Sequence, residues 1–471
     1  MKKTLIALAV GSAFAAPAAY ADVTLSGSIN AGPAVVKTGD GSTNAVNSLN
    51  STGAVAAAGA TQSGINTNYS NITIGSLEDL GGGLKLDFAY QLQANFQSSQ
   101  NVAQNRNSHI GLVGDSWGGI WYGTNEMLYE SYYYTVDPLD GAAGIGGNLQ
   151  MLGTPGYGRV FDNPGADPSA CGGAAAVKVA GITTSPPPAA AGIASSSGVA
   201  GSGCAGFYRR DSNALWYNSP NFNGFSGGVY ATLPMSAVSS GASVSGGQTS
   251  GGAINPWLWG IGAKYVGPSM PLQAWAAYEQ HHDMFGFGAI SGNSFATTGA
   301  LAGQFHGGGW ISSGGSADSS KDYGVQLGVG YTFGDIFAFV NFEQLKYQDD
   351  IDPVFGGNTA TYKRNAWSIG AKWNVATGYV GGQFINALNA SCDGNIAAIS
   401  NASGTSCGDT SAWMIGLGYY HTLSKQTQAY IMGSYTHNAA LNLYSTAGGI
   451  TPGGPLGATV TALTVGLKHS F

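Results

Sequence analysis

Apolar and polar residues alternate one by one over much of the chain, and a period of two predicts strands with one apolar and one polar face. The C-terminal stretch is the clearest case. Leu463, Val465, Leu467 and Phe471 fall on one face, and Thr464, Gly466, Lys468 and Ser470 on the other. Leu84, Leu86, Phe88, Tyr90 and Leu92 alternate with Lys85, Asp87, Ala89, Gln91 and Gln93, and the pattern returns over 323–333 and 367–373. Connections alternate in length as well. Short turns are predicted at Glu78–Gly83, Gly114–Trp117, Ser219–Asn223, Val266–Met270, Phe333–Asp335, Asn374–Gly378 and Leu423–Gln426. Between them lie long segments near 36–68, 97–105, 126–208, 234–253, 281–321, 349–362, 389–410 and 439–458. Seven hairpins, with a first strand near 23–31 and a last near 460–471, give sixteen strands. The prediction is an all-β fold, a transmembrane antiparallel barrel with short periplasmic turns and long extracellular loops. Tyr331, Phe333, Trp373, Tyr419 and Tyr420 lie near strand ends, where an interfacial aromatic girdle belongs.

Composition agrees with strands crossing a membrane. Only 9% of residues are charged, and no apolar run reaches the length of a transmembrane helix. Seventy-six glycines and 11% aromatics suit strands and turns. The N-terminus reads differently. Lys2 and Lys3 precede an apolar run from Leu5 to Ala16 and then Ala19-Tyr20-Ala21, which predicts a signal peptide over 1–21. Residues 22–471 then form one barrel. Loss of Lys2 and Lys3 leaves 15 basic against 24 acidic residues, a net charge of −9, which argues against a nucleic-acid partner.

Several stretches resemble the Gram-negative porin family of β-proteobacterial type. They are DVTLSGSINAG at 22–32, EDLGGGLKLDF at 78–88, NRNSHIGLVG at 105–114, RRDSNALWYNSPNFNGFSGGVYA at 209–231 and VGLKHSF at 465–471. The resemblance implies a homotrimer in the outer membrane, in contact with lipid and lipopolysaccharide. Each sixteen-stranded subunit would be a water-filled channel for passive diffusion of ions and small polar solutes, narrowed by an inward-folded third loop. It further implies Phe471 as an assembly signal for the barrel insertion machinery, and a row of arginines facing carboxylates on that loop. The family's arginines near the starts of strands four and six match Arg106 and Arg210. Its arginine on strand two falls on Asn71, and a basic position on strand six becomes Trp216. Lys85, Lys264 and Lys372 have pore-facing parity at depths the sequence does not fix. Arg106 shares strand parity with apolar Ile110 and Leu112, so the resemblance, and not alternation, assigns it to the pore.

The third long segment begins EMLYESYYYTVDPLD, with Glu126, Glu130, Asp137 and Asp140 set among Tyr129, Tyr132, Tyr133 and Tyr134. Two readings are open. In the first it lies in the pore and supplies carboxylates and hydroxyls to the constriction; in the second it is a surface loop whose tyrosines pack on the wall. The resemblance and the tendency of long loops to carry function favour the pore. Its later part, 172–203, is rich in Ala, Gly, Ser and Pro and has too few large apolar residues for a core. Cys171 and Cys204 bracket it, while Cys392 and Cys407 share the seventh loop. Export through an oxidising periplasm predicts two local disulfides; cross-loop pairing and free thiols stay open.

Enzyme signatures fail on context. Gly-x-Ser-x-Gly occurs around Ser116 and Ser406, but in a hairpin turn and a loop, without the strand–elbow–helix that exposes a nucleophile. His281, His282, Asp283 and His306 match no metal-ligand spacing, and no Gly-Lys pair exists for a P-loop. No cofactor or metal is expected. The alternative to a passive pore is a channel selective for a sugar or an aromatic compound, suggested by the tyrosine-rich third loop.

Overall fold

The computed structural model describes residues 23–41, 59–67, 70–94, 105–139, 144–156, 206–208, 210–233, 257–282, 321–349, 360–393, 409–440, 442, 444, 450 and 457–471. Their strands form one antiparallel barrel with sixteen strand positions. In chain order these are β1 (Val23–Thr38), β2 (Thr61–Asn66 and Asn71–Gly81), β3 (Leu84–Gln93), β4 (Asn105–Gly114), β5 (Gly118–Glu126) and β6 (Arg210–Asn218). Then come β7 (Phe225–Thr232), β8 (Trp257–Val266), β9 (Leu272–His282), β10 (Lys321–Phe333) and β11 (Ile336–Asp349). The last are β12 (Ala360–Val375), β13 (Gly378–Ala387 and Ser391–Asp393), β14 (Ala412–Thr422), β15 (Thr427–Asn438) and β16 (Val460–Ser470). Pairing of β1 with β16, from Ser28↔Ser470 to Thr38↔Val460, closes the cylinder. Closure is obligatory in lipid, where an unpaired edge has no water to satisfy it.

The alternation maps onto the wall. Leu463, Val465 and Leu467 point outward with Phe88, Ile110, Leu327, Ile369 and their equivalents, while Thr464, Gln326 and Ser368 are buried inside. An apolar surface this extensive has lipid as its solvent. Turn chemistry sets the hairpins. Gly81, Gly82 and Gly83 all have positive φ, which explains the glycine run of EDLGGGLK. Asn223-Gly224, both at positive φ, form the tight turn between bridged Phe222 and Phe225.

Two strands are interrupted for identifiable reasons. Between the pieces of β2, the Ser70 hydroxyl accepts from Asn30 N–H at 2.8 Å and donates to Asn30 O at 2.9 Å, replacing a ladder step. Between the pieces of β13, Asn389 Oδ1 accepts from the N–H groups of Thr410 and Ser411, and Thr410 Oγ1 accepts from Ala390 N–H. The girdle expectation needs one correction. Tyr420 is wholly buried inside the barrel, because its place on β14 has inward parity, and it donates to Leu139 O at 2.5 Å.

A bulge resolves the parity of Arg106. Tyr90 faces Ser108 and Leu92 faces Asn105, so Arg106 and Asn107 together oppose Gln91. The extra residue re-phases the strand: Arg106 is buried inside although Ile110 and Leu112 point outward. A second irregularity lies between β5 and β6, where Gly123 pairs with Ala214 but Asn125 with Asp211.

Candidate functional site: the interior of the barrel

At the loop ends of β2–β6 a polar chain crosses five neighbouring strands. Gln91 Nε2 donates to Asn71 Oδ1 at 3.3 Å and to Thr73 Oγ1 at 3.0 Å. Arg106 Nε donates to Gln91 Oε1 at 3.2 Å, and Arg106 Nη2 reaches Glu126 Oε1 at 3.4 Å. Arg210 pairs with the same Glu126 oxygen and donates through Nε to Asn107 Oδ1 at 2.9 Å. Both matched arginines and Glu126 therefore meet on one level, with Asn71 at the end of the row. Trp216 instead lies nearer the turn end of β6, stacked on Trp121.

The three lysines occupy another level. Lys85 pairs with Asp115 at 3.3 Å beside the β4–β5 turn, and Lys372 sits 3.8 Å over the Tyr379 ring. Lys264 Nζ reaches Thr135 Oγ1 at 3.4 Å. Lys85 and Gln91 are six residues apart on β3, about 20 Å along the strand at about 3.3 Å per residue.

The third loop enters as helix α1, Leu128–Thr135, which packs on β5, β8 and β9. Tyr132 lies over Gly262, and the Tyr133 hydroxyl donates to Glu343 of β11. Both rings turn to the wall, and burial holds the Tyr133 hydroxyl well above its ordinary pKa, so it remains a donor. Asp137 caps a local turn by accepting from Leu139 N–H at 3.1 Å. Beyond it the loop is pinned repeatedly. Gln383 donates to Gly146 O at 2.6 Å, Arg364 to Met151 O at 2.7 Å and Tyr362 to Pro155 O at 2.8 Å. Gly153 N–H donates to Glu343 Oε2 at 2.8 Å, and Arg364 forms an ion pair with Glu343 in which both side chains are 0% exposed. The loop thus covers the inner face of β9–β15, while Lys85, Asp87 and His109 on β3 and β4 stay partly accessible.

Among the described carboxylates of the third loop, Glu130 stands beside Glu126 and Arg210. Burial, and then the neighbouring Glu126, raise its pKa to about 8, against the opposing pull of Arg210 and the Tyr134 hydroxyl, which donates at 3.0 Å; Asp211 adds to the rise. The sign follows. The folded chain holds a proton that an ordinary carboxyl has already lost, so Glu130 makes stability fall as pH rises from the ordinary value towards about 8. Above that value a negative charge appears beside Glu126. Reversal potentials measured on either side of it should shift toward cation preference as pH rises, and Glu130→Gln should remove the step. A step that survives in Glu130→Gln would assign the titration elsewhere.

The alternation missed the wall residues that hold the loop, above all Glu343 and Arg364. Their signal was a charged side chain at inward parity, the side of the wall that carries polar groups. The histidines read as loop five lie at the end of β9: His281 Nε2 is 2.7 Å from Glu279 Oε1, and His282 stacks on Trp257. Asp140, Cys171, Cys204, Cys407, Ser406, Asp283, His306, the 172–203 insert and the 1–21 segment lie outside the described residues, as does the side chain of Cys392.

A model of the Gram-negative porin family matches residues 4–441. The chain belongs to the Gram-negative porin family. This porin shares its fold with an anion-selective porin from Comamonas acidovorans, at 20% identity, 96% coverage of this chain, 100% of that chain and a TM-score of 0.59. OmpT of Vibrio cholerae, expressed in the outer membrane, aligns at 11% identity over 97% of this chain and 99% of that one, with a TM-score of 0.54. The outer membrane channel DcaP of Acinetobacter baumannii aligns at 10% identity over 96% and 97%, with a TM-score of 0.50. No curated protein sequence matches the porin. Family and fold make it an outer-membrane channel for passive diffusion of small polar solutes. Channels, not enzymes, make up the family it belongs to.

Proposed function

We propose that the constriction of this porin lies between the Asn71–Gln91–Arg106–Glu126–Arg210 row and the first part of the third loop, and that it is weakly selective. The observation that carries the reading is the shared carboxylate: Glu126 takes both Arg106 and Arg210. Glu126 offsets the two arginines in part, the Asp211 carboxylate stands beside them, and Glu130 adds its charge only above its pKa of about 8. Asn71 occupies the end of the row where a third cation would tip the balance. Ions in a narrow pore sense charges within a Debye length, about 8 Å at physiological ionic strength. Lys85, about 20 Å along β3 from Gln91 at about 3.3 Å per residue, is farther than that from the row, whereas Lys264 reaches Thr135 of α1 at 3.4 Å.

Weak preference, tending to cations, is the expected result in a salt gradient. Asn71→Arg should move the reversal potential toward anions, most at low salt where screening is weakest. Strong anion preference in the natural chain, or an unmoved potential in Asn71→Arg, would remove the basis for this map. A homotrimer is the assembly this reading takes. Its support is the trimer form of OmpT, a fold relative at 11% identity with a TM-score of 0.51. Cross-linking in outer-membrane vesicles tests it.

A further inference from the structure

Between the arginine row and the turns, the inner face of β3–β6 carries a second cluster. Trp121 Nε1–H donates to Asp87 Oδ2 at 2.8 Å, and His109 Nε2 lies 3.3 Å from the same oxygen. Asp87 Oδ1 makes no hydrogen bond to a described residue, and the side chain is 29% exposed. The Trp121 and Trp216 rings are near-parallel at 15°, with centroids 6.1 Å apart, and His109 meets both edge-on. Glycines make the space. A Cβ at Gly111 or Gly119 would come within 2.3 Å of the Trp121 indole, so only glycine lets that ring lie along the wall.

The chemistry of this cluster is one-sided. The Trp121 N–H donates to one carboxylate oxygen with His109 beside it, and the other oxygen belongs to a side chain that is 29% exposed, next to an indole whose quadrupole attracts cations. An anion meets the Asp87 charge, and a neutral ring finds stacking without the ionic partner. A primary ammonium carried one carbon from an aromatic ring satisfies both: N–H to Oδ1, and ring or cation against Trp121. We propose that Asp87 and Trp121 form a subsite for small aromatic ammonium solutes, with His109 positioning the carboxylate. One charge-assisted hydrogen bond and one ring contact in an aqueous lumen give affinity of roughly millimolar order. The proposal rests on reading the inner face of β3–β5 as the wall of the passage.

The test is block of potassium chloride current through the full-length porin in planar bilayers. Benzylammonium should reduce the current at about millimolar concentration, whereas tetramethylammonium and benzoate at the same concentration should not. Asp87→Asn and Trp121→Leu should each weaken the block by about ten-fold or more while still conducting potassium chloride. Equal block by tetramethylammonium, or full block retained in either variant, overturns the subsite and leaves the passage intact. If Trp121→Leu yields no assembled barrel, Asp87→Asn alone decides. A natural chain that passes no potassium chloride current overturns the passage reading, and the subsite with it.

Discussion

Replacing Glu343 with alanine is expected to release the third loop from the wall while the barrel stays closed. Glu343 accepts from the Tyr133 hydroxyl and from Gly153 N–H, and it neutralises Arg364, all inside the barrel. Removing one member of a buried ion pair costs about 3–5 kcal/mol, because the other charge stays buried without compensation. The sixteen-strand ladder does not depend on that contact, since β11 and β12 pair continuously from Ile336↔Trp373 to Asp349↔Ala360. The cost therefore falls on the loop. Limited proteolysis should cut within residues 127–156 in Glu343→Ala and spare the natural chain, and single-channel current should become larger and noisier. Glu343→Gln, which keeps an acceptor for Tyr133, should lie between them. An unchanged current and cleavage pattern would show that the other pins suffice.

Deleting Phe471 should abolish most of the outer-membrane yield. Phe471 N–H donates to Gly27 O and Gly27 N–H to Phe471 O, both at 3.1 Å, so the last residue forms the final rung of the seam. Its ring lies where a Gly27 Cβ would stand, 2.9 Å from Cζ. Each backbone group left unpaired in a lipid setting costs several kcal/mol. We propose a second role for the aromatic terminus, which the family resemblance implies: recognition by the insertion machinery. Phe471→Ala separates the two, because it keeps the rung and removes the ring. Heat-modifiable mobility of outer-membrane fractions reads both. Natural yield after deletion would sink both roles.

Much of this fold was legible because lipid and water impose opposite demands on the two faces of one strand. Leu463, Val465 and Leu467 against Thr464 declare their sides without reference to any other strand. Turn positions were equally open, since Gly81–Gly83 and Asn223-Gly224 need backbone angles that few other residues take. Arg106 was not legible from alternation, because a bulge changes phase and leaves no mark in composition. Partnerships were harder still. Glu343 and Arg364 lie on adjacent strands, yet Tyr133 joins them from 210 residues away in sequence. Only the path of the third loop brings that hydroxyl to the carboxylate.

The bulge at Arg106 and Asn107 has a consequence for how such a channel can change over time. Below it, every second residue of β4 is committed to hydrocarbon, and substitution there is heavily constrained. Above it, inside and outside are reassigned, so charges at the mouth can be exchanged without rewriting the lipid-facing half of the same strand. The irregularity opposite Thr124 gives β6 the same freedom around Arg210. With the constriction proposed at the arginine row, selectivity and membrane insertion become separable traits on one strand. A lineage can test new charges at its pore while its anchorage in the bilayer stays fixed.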